Sequence, residues 1–139
     1  MYQRNLGKYL IILIILLGIF LRFFKLTEYP IQLNHDEVTQ LYDAISIAQT
    51  AKDVHGNFLP FIFPSIGDFK HPFYTYITSF LYFIFGGGEL TIRLTSAIFG
   101  VLLIPVIYLF TNKLLGKNIA LIAAFFTSIA PFEIFFSRK

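Results

Sequence analysis

Cysteine is absent from the chain, so neither a disulfide framework nor a thiolate metal site can form. Charge is scarce. Asp, Glu, Lys and Arg make up 14% of the 139 residues while 56% are hydrophobic, and a soluble domain of this length is rarely so apolar. Acids are nearly missing from both ends. Seven of the eight, Glu28, Asp36, Glu37, Asp43, Asp53, Asp68 and Glu89, lie in one stretch that only Lys52 and Lys70 offset. The net charge of +3 is not gathered into a basic face, which excludes a nucleic-acid partner. No small-x-small site follows the first apolar block, where Leu21-Arg22-Phe23-Phe24 is bulky, and this argues against a cleaved signal peptide.

What is present instead is apolar sequence in long blocks rather than at core-facing periods, the pattern of membrane insertion. Residues 9–21 are apolar apart from Gly18. Arg22 and Lys25 can snorkel, so a span over 6–26 is long enough to cross. It reads as an uncleaved signal anchor, with Arg4 and Lys8 holding the N-terminus in the cytoplasm. Residues 94–111 form a second block, with Pro105 tolerated inside it. Residues 119–136 form a third, with Ala123-Ala124 suited to close helix contact and with Pro131 and Glu133 near its end. The run 73–86 is shorter than a span, carries Thr75, Thr78 and Ser79, and stops at Gly86-Gly87-Gly88. It reads as an interfacial or re-entrant helix that stays on the outer side. That placement puts Lys113 and Lys117 in the cytoplasm, as the positive-inside tendency prefers. The expected fold is an all-α membrane protein with about three transmembrane helices, 6–26, 94–111 and 119–136. An extracytoplasmic loop, 27–93, carries surface helices near 36–53 and 73–86. Three crossings bury little polar surface, so an N-terminal module of a longer polytopic protein is expected.

Within the loop, Tyr29-Pro30 breaks the first helix. Asn34 can cap the next, with Glu37 as the reciprocal partner of a capping box. Val38, Leu41, Tyr42, Ile45 and Ala48 recur at helical spacing, leaving Asp36, Glu37, Thr39, Gln40 and Asp43 toward polar surroundings. This describes a helix lying along the membrane surface, ending near Asp53. Residues 57–66, punctuated by Pro60 and Pro64, read as an ordered loop. Asp36-Glu37 beside a bilayer can be a catalytic corner or simple dipole stabilisation of a first helical turn; taken alone, the second is the stronger reading. Lys70-His71, just before an apolar run, suits either a lipid phosphate or an interfacial anchor. Arg93 and Arg138 stand where interfacial snorkelling would place them.

Taken in order, these pieces resemble a known family. His35-Asp36-Glu37, Asp68-Phe69-Lys70-His71-Pro72-Phe73-Tyr74, Arg93-Leu94-Thr95-Ser96-Ala97-Ile98-Phe99-Gly100, Ala130-Pro131 and Ser137-Arg138 are similar to the start of family 39 glycosyltransferases. These are enzymes of the GT-C fold related to protein O-mannosyltransferases and to the lipid A aminoarabinose transferase. The resemblance runs from about Leu10 to the end and implies a GT-C-type N-terminal module whose first outer loop carries the catalytic acid. By that resemblance Asp36 activates or positions the acceptor and Glu37 supports it. Lys70 holds the phosphate of the donor, with His71, Arg93 and Arg138 as further candidates for that anion. His71 departs from the family's usual Pro-Pro after this lysine. Some relatives bind a divalent metal near the acid, which makes His35, Asp36 and His71 the candidate ligands here.

The implied activity is transfer of a sugar from a polyprenyl-phosphate donor to a glycan, lipid or protein acceptor at the outer face of a multi-pass cell-membrane protein. This piece is expected to be inactive by itself. A transporter or flippase subunit would place acids inside the spans, where only Glu133 comes near. A small membrane-anchored interaction protein, binding a partner through the acidic loop, is the other alternative.

Overall fold

The computed structural model describes residues 2–65 and 67–139, without the side chains of residues 2–5 and of Asp68. The Arg4 side chain, expected on the cytoplasmic side, and the Asp68 carboxyl of the Asp-x-Lys motif therefore lie outside the described part, as does Ile66 at the end of the expected loop. The order among the described residues is α1 (Tyr2–Phe23), α2 (His35–Thr50), β1 (Phe63–Ser65), β2 (Asp68–Lys70), α3 (Pro72–Phe85), α4 (Glu89–Leu115), α5 (Lys117–Ile129) and α6 (Pro131–Phe136). The chain divides into two compact units.

One unit holds the residues up to Leu26 together with Ser96–Arg138. Leu6–Phe23 and Glu89–Leu115 each have a mean hydropathy of 2.2 and are long enough to cross a bilayer. At 1.5 Å per residue, the 27 residues of α4 extend about 40 Å, beyond a hydrocarbon core of about 30 Å. The protein is a mostly helical membrane protein with these two candidate spans. The third block is not one helix. It is parted at Ala130 (φ −58°, ψ 121°), ahead of Pro131, because proline lacks an N–H and drives the preceding residue into extended backbone. Pro105 leaves α4 unbroken.

The break at Ala130 frees carbonyls at the end of α5, and Arg22 takes them. Its Nη2 donates to Thr127 O at 3.1 Å, the carbonyl four residues before Pro131, and its Nη1 donates to Ser128 O at 3.1 Å. Arg138 does the converse, donating to Leu21 O at 3.0 Å and Lys25 O at 2.9 Å at the end of α1. Arg22 is fully buried. Room for it comes from glycine: a Cβ on Gly100 would lie 2.9 Å from Arg22 Nε and 2.3 Å from Ser137 Cβ. Ile14, Ile104 and Ala124 form the small apolar core between α1, α4 and α5.

The other unit holds Thr27–Thr95. The capping box at Asn34 and Glu37 starts α2, and Leu41, Ala44 and Ile47 are buried where α2 packs on α3. The buried stripe is rotated from the one expected on sequence. Tyr42 is 64% exposed and Asp43 only 3% exposed, because Asp43 Oδ1 accepts the Val54 N–H at 3.2 Å. The helix ends at Thr50, with Ala51 in left-handed backbone (φ 57°), before reaching Asp53. The segment expected as a plain loop contains β1, paired antiparallel with β2 in the register Phe63↔Lys70. Helix α3 is polar inside and apolar outside. Thr75, Thr78 and Ser79 are buried while Phe73, Phe80, Phe83 and Ile84 are exposed, and Thr78 and Thr95 hydroxyls bond at 3.0 Å.

Candidate active site

The capping box fixes where Asp36 sits. Asn34 presents its side chain to the helix N-terminus, the Asn34 N–H donates to Glu37 Oε2 at 2.5 Å, and Asp36 is the second residue of the first turn. Its side chain is 72% exposed. The hairpin brings Lys70, the last residue of β2, beneath that turn. Lys70 Nζ donates to Asp36 O at 2.9 Å and to Thr39 Oγ1, and lies 3.5 Å from Asp36 Oδ1. An ammonium has three donors and no acceptor, so these partners hold it in one place. With its partner so exposed the pair adds about 0–1 kcal/mol to stability. Its consequence is positional: a buried cation and an exposed carboxylate share one wall.

That wall bounds a cavity of about 400 Å³ lined by Asp36, Gln40, Phe69, Lys70, His71 and Tyr74. His71 precedes Pro72 and makes no side-chain cap to α3. Tyr74 is held by its hydroxyl on Ile92 O at 2.9 Å. Thus Asp36, Lys70 and His71 are brought together. Glu37 is not among the lining residues; it is buried in the cap, and its Oε1 meets no hydrogen-bond partner among the described residues. Arg93 is buried and pairs with Glu89 Oε1 at 2.6 Å and with Pro30 O at 2.5 Å. Arg138 is on the carbonyls at the end of α1. His35, Asp36 and His71 are not gathered as ligands: among the described residues no three His, Asp or Glu side chains are placed to hold a metal ion. Thr39, Gln40 and Tyr74 were not foreseen as site residues. Asp36, Thr39 and Gln40 stand at i, i+3 and i+4, one helix face, and that spacing was the available signal.

Two further carboxylates sit close by in different electrostatic states. Burial pushes the Asp43 carboxyl above its usual range, against the Val54 N–H that lowers it. Burial also opposes ionisation of Asp53, but the Asn57 side chain and the Asn57 and His55 N–H groups outweigh it and hold Asp53 below the usual range. Asp53 accordingly ties up the loop after α2, accepting Asn57 N–H at 2.7 Å and His55 N–H at 3.0 Å.

Residues 70–139 match the family described as dolichyl-phosphate-mannose-protein mannosyltransferase. The chain belongs to that family. Membership makes it a membrane glycosyltransferase of the mannosyltransferase-like kind, in agreement with the resemblance carried by the motifs. No curated protein and no solved structure gives a significant match. The matched segment of this mannosyltransferase-family chain starts at Lys70. Asp36 lies before it, and the contact with Lys70 is what connects the two.

Proposed function

We propose that the chain is the N-terminal module of an enzyme that moves a sugar from a polyprenyl-phosphate donor to a hydroxyl of a glycan, lipid or protein acceptor outside the cytoplasm. One observation carries this reading: Lys70 Nζ lies 3.5 Å from Asp36 Oδ1 on the wall of a cavity in a chain of the mannosyltransferase family. In transfer, the bond from the anomeric carbon to the phosphate oxygen breaks and a bond from that carbon to the acceptor oxygen forms. The departing phosphate gains negative charge, and a fixed cation stabilises it most at that moment. Lys70 is that cation, and His71 at the cavity edge is a second donor for the same oxygens. The acceptor hydroxyl loses its proton as it attacks, and Asp36, exposed at the rim, takes it. Glu37 acts through the cap, as the residue that positions Asp36. In the full-length protein Asp36→Asn keeps the backbone contacts and removes the base. Transfer from a polyprenyl-phosphate sugar should fall by about 10³-fold with membrane insertion intact. Undiminished transfer would reject the assignment.

The site loop, on this reading, lies wholly on the outer side, with the N-terminus in the cytoplasm. Helix α3 has 14 residues and so extends about 21 Å, short of a hydrocarbon core of about 30 Å. Its exposed phenylalanines suit lipid on one side while its buried threonines suit α2 and α4. The absence of cysteine makes this directly measurable. Single replacements Gln49→Cys and Leu90→Cys should react with an impermeant maleimide from the same face, and Lys113→Cys only from the opposite one. Reaction of Leu90→Cys from the cytoplasmic face would mean that α3 crosses.

A further inference from the structure

Thr39 links the walls of two cavities. Its hydroxyl accepts from Lys70, which lines the cavity described above. Thr39 also lines a second cavity of about 410 Å³, with Tyr42, Asp43, Val54, His55, Pro64 and Ser65. Asp36, Thr39 and Asp43 are at i, i+3 and i+7 of α2, so one helix face serves both cavities.

The chemistry of the second cavity centres on Asp43. Asp43 is a buried residue, 3% exposed. Its Oδ1 accepts the Val54 N–H at 3.2 Å, and among the described residues that is the hydrogen bond it has. A carboxylate offers about four lone-pair sites, and the second oxygen, not among the fully buried unpartnered atoms, stays reachable. A donor inside the cavity can bond it. The walls favour one kind of molecule. Tyr42, Val54 and Pro64 offer apolar surface, while Thr39, Ser65 and His55 offer hydroxyl and imidazole groups. A ring with hydroxyls at its edges and C–H groups on its faces fits both. An ammonium ligand fits less well: burial already disfavours the ionised carboxylate that it would need, whereas a neutral hydroxyl donates to either form. The Asp53 knot, through the Asn57 and His55 N–H groups, holds Val54 and His55 in place before any ligand arrives.

We propose that this second cavity is a saccharide subsite, in which the buried Asp43 carboxyl accepts a sugar hydroxyl and Tyr42, Val54 and Pro64 cover the apolar face of the ring. The choice of a saccharide rests on the glycosyltransferase reading above, whereas the cavity and its buried acceptor do not.

The test uses the complete chain, isotope-labelled in lipid nanodiscs and titrated with methyl α-D-mannoside, reading the backbone amide resonances of Val54 and His55. Saturable shifts are expected in the wild type. Asp43→Asn, which keeps one oxygen for Val54 and turns the other into a donor, should weaken binding at least tenfold, about 1.4 kcal/mol. Val54→Trp, at a position 53% exposed and so tolerant of bulk, should block binding even if Asp43→Asn fails to fold. Absence of saturable shifts, or equal shifts in wild type and Val54→Trp, would overturn the subsite. Mannose 1-phosphate separates the two sources of a sugar ring. If it moves Val54 and His71 together, the ring is the donor's; if it moves His71 alone while methyl mannoside moves Val54, the ring is the acceptor's. Failure of the Asp36 assignment would leave these amide shifts unchanged, so the two claims fall separately.

Discussion

Arg22 in the unit that holds α1 and α5, and Lys70 in the unit that holds α2 and the hairpin, are both buried cations, 0% and 9% exposed. They are put to different uses. Arg22 faces backbone: it supplies hydrogen bonds to Thr127 O and Ser128 O, where Pro131 cannot. Arg138 treats the end of α1 the same way. These arginines supply the donors that the last carbonyls of a helix lack. Lys70 faces Thr39 and Asp36 beside open space. The difference teaches that burial of a cation does not make a site. What matters is whether its partners are closed backbone or a cavity wall that a ligand can reach.

Replacements at the two positions should separate these roles, and the largest effect belongs to the cavity. On the proposed reading, Lys70→Ala should lower kcat/KM for the polyprenyl-phosphate donor by about 100-fold, with little change in thermal midpoint. Unchanged donor saturation would reduce Lys70 to an interfacial anchor and dissolve the contrast. Arg22→Met should do the opposite. It leaves two carbonyls unsatisfied in an apolar setting, which should cost about 1–3 kcal/mol, seen as a lower thermal midpoint in lipid nanodiscs with transfer per folded molecule preserved. Loss of transfer without loss of stability would mean that Arg22 belongs with Lys70 after all.

The smallest effect sharpens the comparison within the loop unit, between two of its buried acids, Asp53 and Asp43. Asp53 is held below its usual range in the folded chain. Its contribution is therefore complete above the unfolded value of about 3.9 and fades as pH falls through the lower folded value. Asp43, raised by burial, has the reverse sign: its ionisation weighs against the fold once pH rises through the folded value. Asp53→Asn should thus lower the thermal midpoint at pH 7 and less so below pH ~4, in pH-dependent calorimetry. A gap of constant size would show that Asn57 and His55 bind the carbonyl oxygen of Asn equally well.

Much of the candidate site's geometry is legible in the sequence. The capping box at Asn34 and Glu37 is a local pattern, and a local pattern determines where Asp36 stands on α2. The resemblance to family 39 glycosyltransferases drew attention to Lys70. Other features were not legible. Asp43 looked solvated because a helical wheel assigns polar residues outward, and nothing local signals that Val54, eleven positions on, will supply an N–H. The hairpin was hidden because Pro60 and Pro64 read as loop punctuation. The third apolar block looked like a single crossing because Pro105 and Pro131 sit in similar apolar surroundings.

By itself the sequence determined the membrane class, the loop between the first two long apolar blocks that carries the candidate site, and the start of α2, since each follows from composition or from contacts within a few residues. Only the tertiary structure decided that α4 runs on through Pro105 while the chain breaks before Pro131, and that Lys70 reaches Asp36. Both depend on partners far away in the chain: Arg22 satisfies carbonyls more than a hundred positions on, and the ammonium of Lys70 crosses thirty-four positions to the first turn of α2. Hydrogen bonds at such separations are set by packing, which no local pattern encodes.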